Sequence, residues 1–437
     1  MKAAPSGWRE TRLRYAATLN PSKSEARALA AGTEVSFLPM EAVREDGTFD
    51  LSQTRAVEDV AGGYTFFRDG DVLLAKITPC FENGKAALVA GLHSGFGFGS
   101  TEFHVLRARA GLDPRFLFYV TRSQPFMEQG TASMFGAGGQ KRVPTEFLQD
   151  YRMMLPTLAE QHIIADFLNR ETARIDALVA KQEEFISALV SHRLAFITEA
   201  VTRGLHAPEG WQCTGTDALP SLPSHWRISR VKHLCSNVVD CLHTTPHYNG
   251  DLLYPCVRTA DIEPGRLLLS QTRLVSEEVY QERIARLRPR EGDILYSREG
   301  ERFGIAALVP PGIDLCLGQR MMMFRAREEH CSAYLMWVLN SAPTLHQVQQ
   351  QVFGATSPHI NIGAIVNFVV PVPPREEQER IAAHIDASVA RLRILEVRAA
   401  EIIERLREHR AALITAAVTG GIVAARPLAD HGPRVAA

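Results

Sequence analysis

Ala195-Phe196-Ile197-Thr198-Glu199-Ala200-Val201-Thr202-Arg203-Gly204 returns, 217 residues further on, as Ala412-Leu413-Ile414-Thr415-Ala416-Ala417-Val418-Thr419-Gly420-Gly421. A repeat this long fixes domain count and internal symmetry together. The same spacing joins Glu160-Gln161 to Glu377-Gln378 and Arg174 to Arg391, and a spacing of 218 joins Trp8-Arg9 to Trp226-Arg227 and Phe135-Gly136-Ala137 to Phe353-Gly354-Ala355. Gly70-Asp71-Val72-Leu73 and Gly292-Asp293-Ile294-Leu295 stand 222 apart, so small insertions separate the copies. The chain reads as two half-proteins, each a variable globular part followed by a similar helical part.

Both helical parts follow a Pro-containing extended segment, Leu155-Pro156-Thr157-Leu158 and Val370-Pro371-Val372-Pro373-Pro374. Proline disfavours helix just before it and suits a first turn. Thr157 and Glu160 have capping-box spacing; the second copy has no such Thr and relies on Pro. Neither copy then contains Pro or Gly until Gly204 and Gly420, which predicts roughly 47 helical residues, a path of about 70 Å. The apolar positions Ile164, Leu168, Ile175, Leu178, Phe185, Leu189, Phe196 and Ala200 recur as Ile381, Ile385, Leu392, Leu395, Ile402, Leu406, Leu413 and Ala417. Spacings of 3, 4 and 7 make a heptad seam, and matched seams in both copies favour mutual pairing over a stripe laid on each helix's own domain. The seam centres on Ile175, Leu178, Phe185, Leu189, Leu392, Leu395, Ile402 and Leu406.

The domain plan is 1–155, 156–206 (first long helix), 207–372, 373–424 (second long helix) and a tail, 425–437. The two variable parts read as α+β. Short strands such as Asp71-Val72-Leu73-Leu74-Ala75 and Ile305-Ala306-Ala307-Leu308-Val309 are bounded by Gly, Pro and Asp, and helical patterns cover 114–129 and 332–351. Segment 207–225, with three prolines, is expected to be a linker. At 437 residues, 46 % hydrophobic and 22 % charged, the chain suits several folded domains rather than one core or a disordered polymer. No uninterrupted apolar run has the length of a membrane span, and the N-terminus is charged where a signal peptide is apolar. Seven cysteines without a C-x-x-C pair fit a reducing cytoplasm better than a disulfide framework.

The Glu-Gln start of a long helix after a Pro-rich strand, the Ile-Thr-x-Ala-Val-Thr-x-Gly end and the two-copy layout resemble the specificity subunits of type I restriction-modification systems. The resemblance spans essentially the whole chain, departing from the pattern at the second helix cap and at Thr202-Arg203-Gly204 against Thr419-Gly420-Gly421. It implies an α+β protein in which two target-recognition domains alternate with two long helices that pair as an antiparallel coiled coil. Each head would read one half of an asymmetric, bipartite site in double-stranded DNA. The helices would set the unread spacer and dock two methyltransferase subunits, and motor-endonuclease subunits would join for cleavage. The chain would catalyse nothing and bind no cofactor; S-adenosylmethionine, ATP and Mg would belong to its partners. A stand-alone DNA-binding scaffold or regulator without methylation partners is the other reading, separated by the presence of a neighbouring adenine methyltransferase gene.

A net charge of −1, with no basic region, predicts weak DNA binding by the isolated chain, completed by its partners. Cations do cluster at Arg283, Arg286, Arg288, Arg290, Arg298 and Arg302, and at Gln140-Lys141-Arg142. Arg and Lys can bond guanine, and Gln or Asn adenine. The candidate DNA contacts are therefore Lys76, Thr78, Asn83, Gln140, Lys141 and Arg142 in the first head. In the second they are Ser297, Arg298, Arg302, Gln319, Arg320, Ser357 and His359. For any one of them the plain alternative is a surface salt bridge. The matched loops 135–140 and 353–359 read either as phosphate clamps, where glycine brings backbone amides close, or as turns. No metal is expected: His233, Cys235, Cys241 and His243 match no standard zinc spacing. Gly95-Phe96-Gly97-Phe98-Gly99 lacks the cofactor-loop pattern and reads as a flexible hairpin.

Overall fold

The computed structural model describes residues 7–30, 32–137, 139–299, 302–352 and 360–422. The tail 425–437, the loop 353–359 and, with it, Ser357 and His359 lie outside them. The chain forms two compact units, Met1–Glu183 with Ala400–Ala437, and Glu184–Ala399. Each unit thus joins one head to the near part of one long helix and the far part of the other, a division that sequence order conceals.

In the first unit, strand Arg9–Arg12 pairs antiparallel with Arg152–Leu155, the strand leading into the first long helix. A four-stranded antiparallel sheet follows the order Ala17–Leu19, Phe103–Ala108, Asp71–Ala75, Ala86–Leu88, and a second sheet runs Thr54–Ala56, Glu34–Leu38, Phe96–Gly99, Thr65–Arg68. The second unit repeats this plan. Arg227–Arg230 pairs with Val369–Val372, and the main sheet runs Cys235–Asp240, Met321–Ala326, Ile294–Ser297, Ala306–Leu308. Its smaller sheet has three strands, Arg273–Val275, Tyr254–Val257 and Cys316–Leu317, and keeps the one parallel pairing of its counterpart.

The repeated Gly-Asp pair is structural. Asp71, 1 % exposed, takes two hydrogen bonds of 2.7 Å from Arg107, and Asp293, 2 % exposed, takes bonds of 2.8 and 2.7 Å from Arg325. Each aspartate also accepts a backbone N–H three residues upstream, from Arg68 and Arg290, so a buried charge is fully bonded across two strands. The Gly-Phe-Gly-Phe-Gly stretch is not a flexible hairpin: Phe96–Gly99 is an interior strand. A Cβ on Gly97 would lie 2.2 Å from the Phe67 ring and one on Gly99 2.3 Å from the Leu38 carbonyl oxygen, so glycine serves close packing there. The helical patterns at 114–129 and 332–351 are each two helices, Pro114–Thr121 with Gln124–Ser133 and Ser332–Leu339 with Ala342–Val352. Both breaks precede a proline, Pro125 or Pro343. Segment 207–225 is not mere linker either: Trp211–Cys213 and Ser221–Pro223 form a hairpin.

The long helices span Leu158–Arg203 and Arg375–Val418. The Thr157–Glu160 capping box forms, with Thr157 N–H donating to Glu160 at 2.9 Å, and Gly204 and Gly420, both at φ +78°, end the helices in the left-handed conformation glycine favours. By length and a mean hydropathy of 1.2 over 18 residues the first helix could cross a membrane. Counting uninterrupted apolar runs misses this, because its apolar residues are spread between polar ones. Many of them face protein: Ile164 and Leu168 pack in the first unit's core, Ile197, Ala200 and Val201 in the second's.

Within each unit the two helix segments run antiparallel. Arg410 pairs with Asp176 at 2.8 Å and Arg407 with Glu183 at 3.2 Å in the first; in the second, Arg193 pairs with Glu396 at 2.7 Å and Phe196 meets His384. The seam differs from expectation by one residue in places. Ile175 and Leu189 are buried and Leu392 and Leu406 half-buried, but Leu178, Phe185, Leu395 and Ile402 are each 42–44 % exposed. Val179, Ile186, Glu396 and Ile403 take the inward positions instead. Charge explains the slip at one place: Glu396 is sheltered as an ion pair with Arg193, so a pattern drawn through apolar residues passes to Leu395, whereas at the other three positions the inward neighbour is itself apolar.

Candidate nucleic-acid interface

Each head is tied to the helices by the repeated motifs, and this fixes where its remaining surface lies. Gln161, fully buried, accepts the Asp113 N–H at 2.8 Å and donates to the Gly111 and Pro156 carbonyls; Gln378 accepts the Cys331 N–H at 2.8 Å and donates to Pro373. The Ile-Thr motif caps a head helix: Thr415 Oγ1 accepts the Gln124 N–H at 2.9 Å, and Thr198 Oγ1 that of Ala342 at 3.0 Å. Aromatic residues add a second tie, Tyr119 donating to Asn169 at 2.7 Å and Trp337 to Asp386 at 2.8 Å.

Five of the candidate contacts in the first head converge where the chain leaves strand Asp71–Ala75. Lys76 N–H donates to Glu102 O and Lys76 O accepts from Val143; Thr78 N–H donates to Lys141 O at 2.9 Å, and Arg142 bridges Ile77 and Phe135. Lys76, Thr78, Gln140, Lys141 and Arg142 therefore share one rim. Gln140 and Lys141 are exposed and Lys76 is half-buried, its charge acting on the Glu102 carboxyl. Arg142 is already committed, forming a two-bond pair with Glu102 at 3.0 Å that holds the Glu102 carboxyl below its usual range. The Thr78 hydroxyl is buried without a hydrogen-bond partner among the described residues. Asn83 stands apart, donating its amide to Glu45 at 2.8 Å. Gly136 and Gly139 in the adjoining loop have positive φ, as a turn requires; Gly138 lies outside the described residues.

The second head places Arg298 where the first has Lys76: its N–H donates to Arg320 O and its carbonyl accepts from Ile360. Here the structure corrects the sequence reading. Ser297 is fully buried, its hydroxyl bonding the Arg302 carbonyl and accepting from Ile305 N–H. Arg298 is 2 % exposed and held by Asp240 and Glu299, both at 3.1 Å. Neither presents a surface to DNA, because a buried arginine must be neutralised by nearby acids and is spent in doing so. Gln319 donates to the His243 carbonyl and accepts from Thr245, while Arg320, 52 % exposed, reaches Glu299 only at 3.7 Å. Arg302 is exposed and donates to the Ala260 carbonyl. The arginine cluster is not a patch: Arg283 is buried against the Leu317 and Thr244 carbonyls, Arg286 donates to the Asp240 carbonyl and Arg288 pairs with Asp314. Cys235 and Cys241 are buried core thiols. Sequence reading passed over Lys23 and Thr101, which line one cavity with Lys76 but lie far from it along the chain.

A family model described as the type I restriction modification DNA specificity domain matches residues 16–186 and 249–404, one stretch per repeat. The type I restriction enzyme EcoEI and EcoAI specificity subunits of Escherichia coli are each 35 % identical over 192 residues, 43 % of this chain and 31 % of theirs. The alignment thus spans less than a third of those two relatives. The Escherichia coli EcoBI specificity subunit is 23 % identical over 294 residues, 65 % of this chain and 61 % of its own. Among solved structures, a chain from work on complex assembly and conformational transition of the type I R-M system matches with a TM-score of 0.71 at 22 % identity, covering 97 % of this chain and 100 % of that one. The HsdS subunit from Thermoanaerobacter tengcongensis matches with a TM-score of 0.50 at 21 % identity, covering 96 % and 98 %. These two share the fold. Because the family model covers both repeats and most of the chain, this protein belongs to the type I restriction-modification DNA specificity family.

Proposed function

We propose that the chain is the DNA-specificity subunit of a type I restriction-modification complex of the cytoplasm, each head reading one half of an asymmetric bipartite site. The observation that carries this is the contrast inside the repeat. The two heads share framework bonds down to Gln161 and Gln378, Thr415 and Thr198, Asp71 and Asp293. Yet they differ at the matched rim, Lys76 and Glu102 against Arg298 and Arg320. Framework identity with rim divergence is what two readers of different sequences require, since base choice is made by the side chains that reach base edges.

Leu178 and Leu395, and Phe185 and Ile402, are repeat-related and exposed. Apolar side chains seven apart on a helix face suit a partner helix, which supports docking of two methyltransferase subunits there. Those subunits would supply S-adenosylmethionine and act on an adenine taken out of the duplex, while ATP and Mg would serve motor-endonuclease subunits. The chain itself would carry no chemistry. Mapping methylated adenines in cells with and without this gene tests the proposal: a two-part motif should vanish with the gene and return with it. A map that is the same in both strains would refute it.

A further inference from the structure

The first head contains a cavity of about 370 Å³ with two lysines in its lining. Lys76, Lys23, Thr65, Thr101 and the Gly62-Gly63 pair line it, and none of its lining residues is acidic. The larger cleft of the same unit, about 750 Å³, is lined by Glu41, Glu45, Asp46, Asp176 and Glu183 beside its cations. With two ammonium groups and no carboxylate in its lining, the smaller cavity favours a negatively charged ligand.

Glu102, next to Thr101, lies outside the lining; its carboxyl is paired with Arg142 and also feels the Lys76 charge. Two further features favour an anion. Lys23 spans to the Ala61 carbonyl at 2.9 Å, which fixes its ammonium beside the diglycine. A Cβ at Gly62 or Gly63 would meet nothing within 4 Å, so both backbones are open to close approach by a ligand. Threonine hydroxyls supply further donors. Ammonium groups, hydroxyls and bare backbone form a donor set for phosphate oxygens. A point-charge ammonium lacks the planar fork that discriminates base edges best.

We infer that this cavity seats the phosphodiester backbone of the half-site bound by the first head, with Lys76 and Lys23 as positioning residues rather than base readers. The inference rests on the proposed function and adds to it an asymmetry: the second head fills the position of Lys76 with Arg298, which is buried against Asp240 and Glu299. The two heads therefore grip the duplex backbone by different means.

The test is equilibrium binding of the full chain, assembled with its methyltransferase partner, to a duplex carrying its mapped site, between 50 and 200 mM salt. Each phosphate contact contributes about 0.9 to the slope of log affinity against log salt. Lys76→Gln should bind more weakly than wild type, and that gap should narrow about 3.5-fold across the range, the share of one contact. Lys76→Arg should keep the wild-type slope, and the methylation maps of both variants should keep every base of both half-sites. A wild-type slope in Lys76→Gln overturns the backbone seat, and so does a changed base in one half-site, which would make Lys76 a reader. A wild-type complex that shows no preference for its mapped site would instead overturn the specificity-subunit reading.

Discussion

Gln161 and Gln378 show what single residues do in this fold and why their roles were hidden. The repeat marks both, but the groups they satisfy, the N–H of Asp113 and of Cys331, lie 48 and 47 residues away along the chain. Spacing reveals that a residue recurs; only the folded chain reveals the bond it makes. The same holds for His104, 4 % exposed, whose Nε2 meets the Val143 carbonyl at 2.9 Å and whose Nδ1 meets the Asn20 amide at 3.3 Å. With Nε2–H donating and Nδ1 accepting, the ring is neutral, and burial holds its pKa below the ordinary histidine value. The unfolded chain takes up a proton near pH 6.5 that the native ring refuses. Stability is therefore complete above that pH and falls below it, by up to about 1.4 kcal/mol per pH unit until the native pKa is reached. Urea unfolding at pH 7 and pH 5 should show a smaller acid loss for His104→Gln than for wild type. Equal losses would remove His104 from the account.

At the scale of elements, the long helices were legible almost to the residue, because capping chemistry and an absence of Pro and Gly speak for themselves. Their inward face was not. A heptad drawn through Leu178, Phe185, Leu395 and Ile402 is a real repeat, but it marks the outer side, since each of these has a neighbour one residue on, Val179, Ile186, Glu396 or Ile403, that takes the inward place. On the proposed docking of a methyltransferase subunit at the outer stripe, the two apolar stripes have different duties, and substitution separates them. Leu178→Asp with Phe185→Asp should leave the unfolding midpoint within the roughly 0.5 kcal/mol typical of surface changes, while co-purification with the methyltransferase subunit is lost. Leu189→Asp, at a buried position, should cost several kcal/mol. Intact co-purification of the double variant would place the partner elsewhere. The glycine-rich strand Phe96–Gly99 was misread for a related reason: glycine signals both a loose turn and tight packing, and the ring of Phe67 that decides the matter is remote in sequence.

For the whole molecule, the sequence divides by repeat and the structure by unit, and the boundaries do not coincide. The ends of the helices cross over: Ile414, Ala417 and Val418 belong to the core of the first unit, Ile197, Ala200 and Val201 to that of the second. If helix length sets the unread gap in the DNA site, adding four residues to both helices, about 6 Å, should lengthen that gap by about one to two base pairs. A methylation map of that variant should show the same half-site letters. Altered letters, or an unchanged gap, would refute the link between helix and spacer. The cap that Thr415 gives to Gln124, 291 residues upstream, also has a bearing on biosynthesis. The ribosome makes the amino-terminal head first, yet the core that joins it to the helices takes in Ile414, Ala417 and Val418, so the portion begun earliest is completed only when translation has passed Val418.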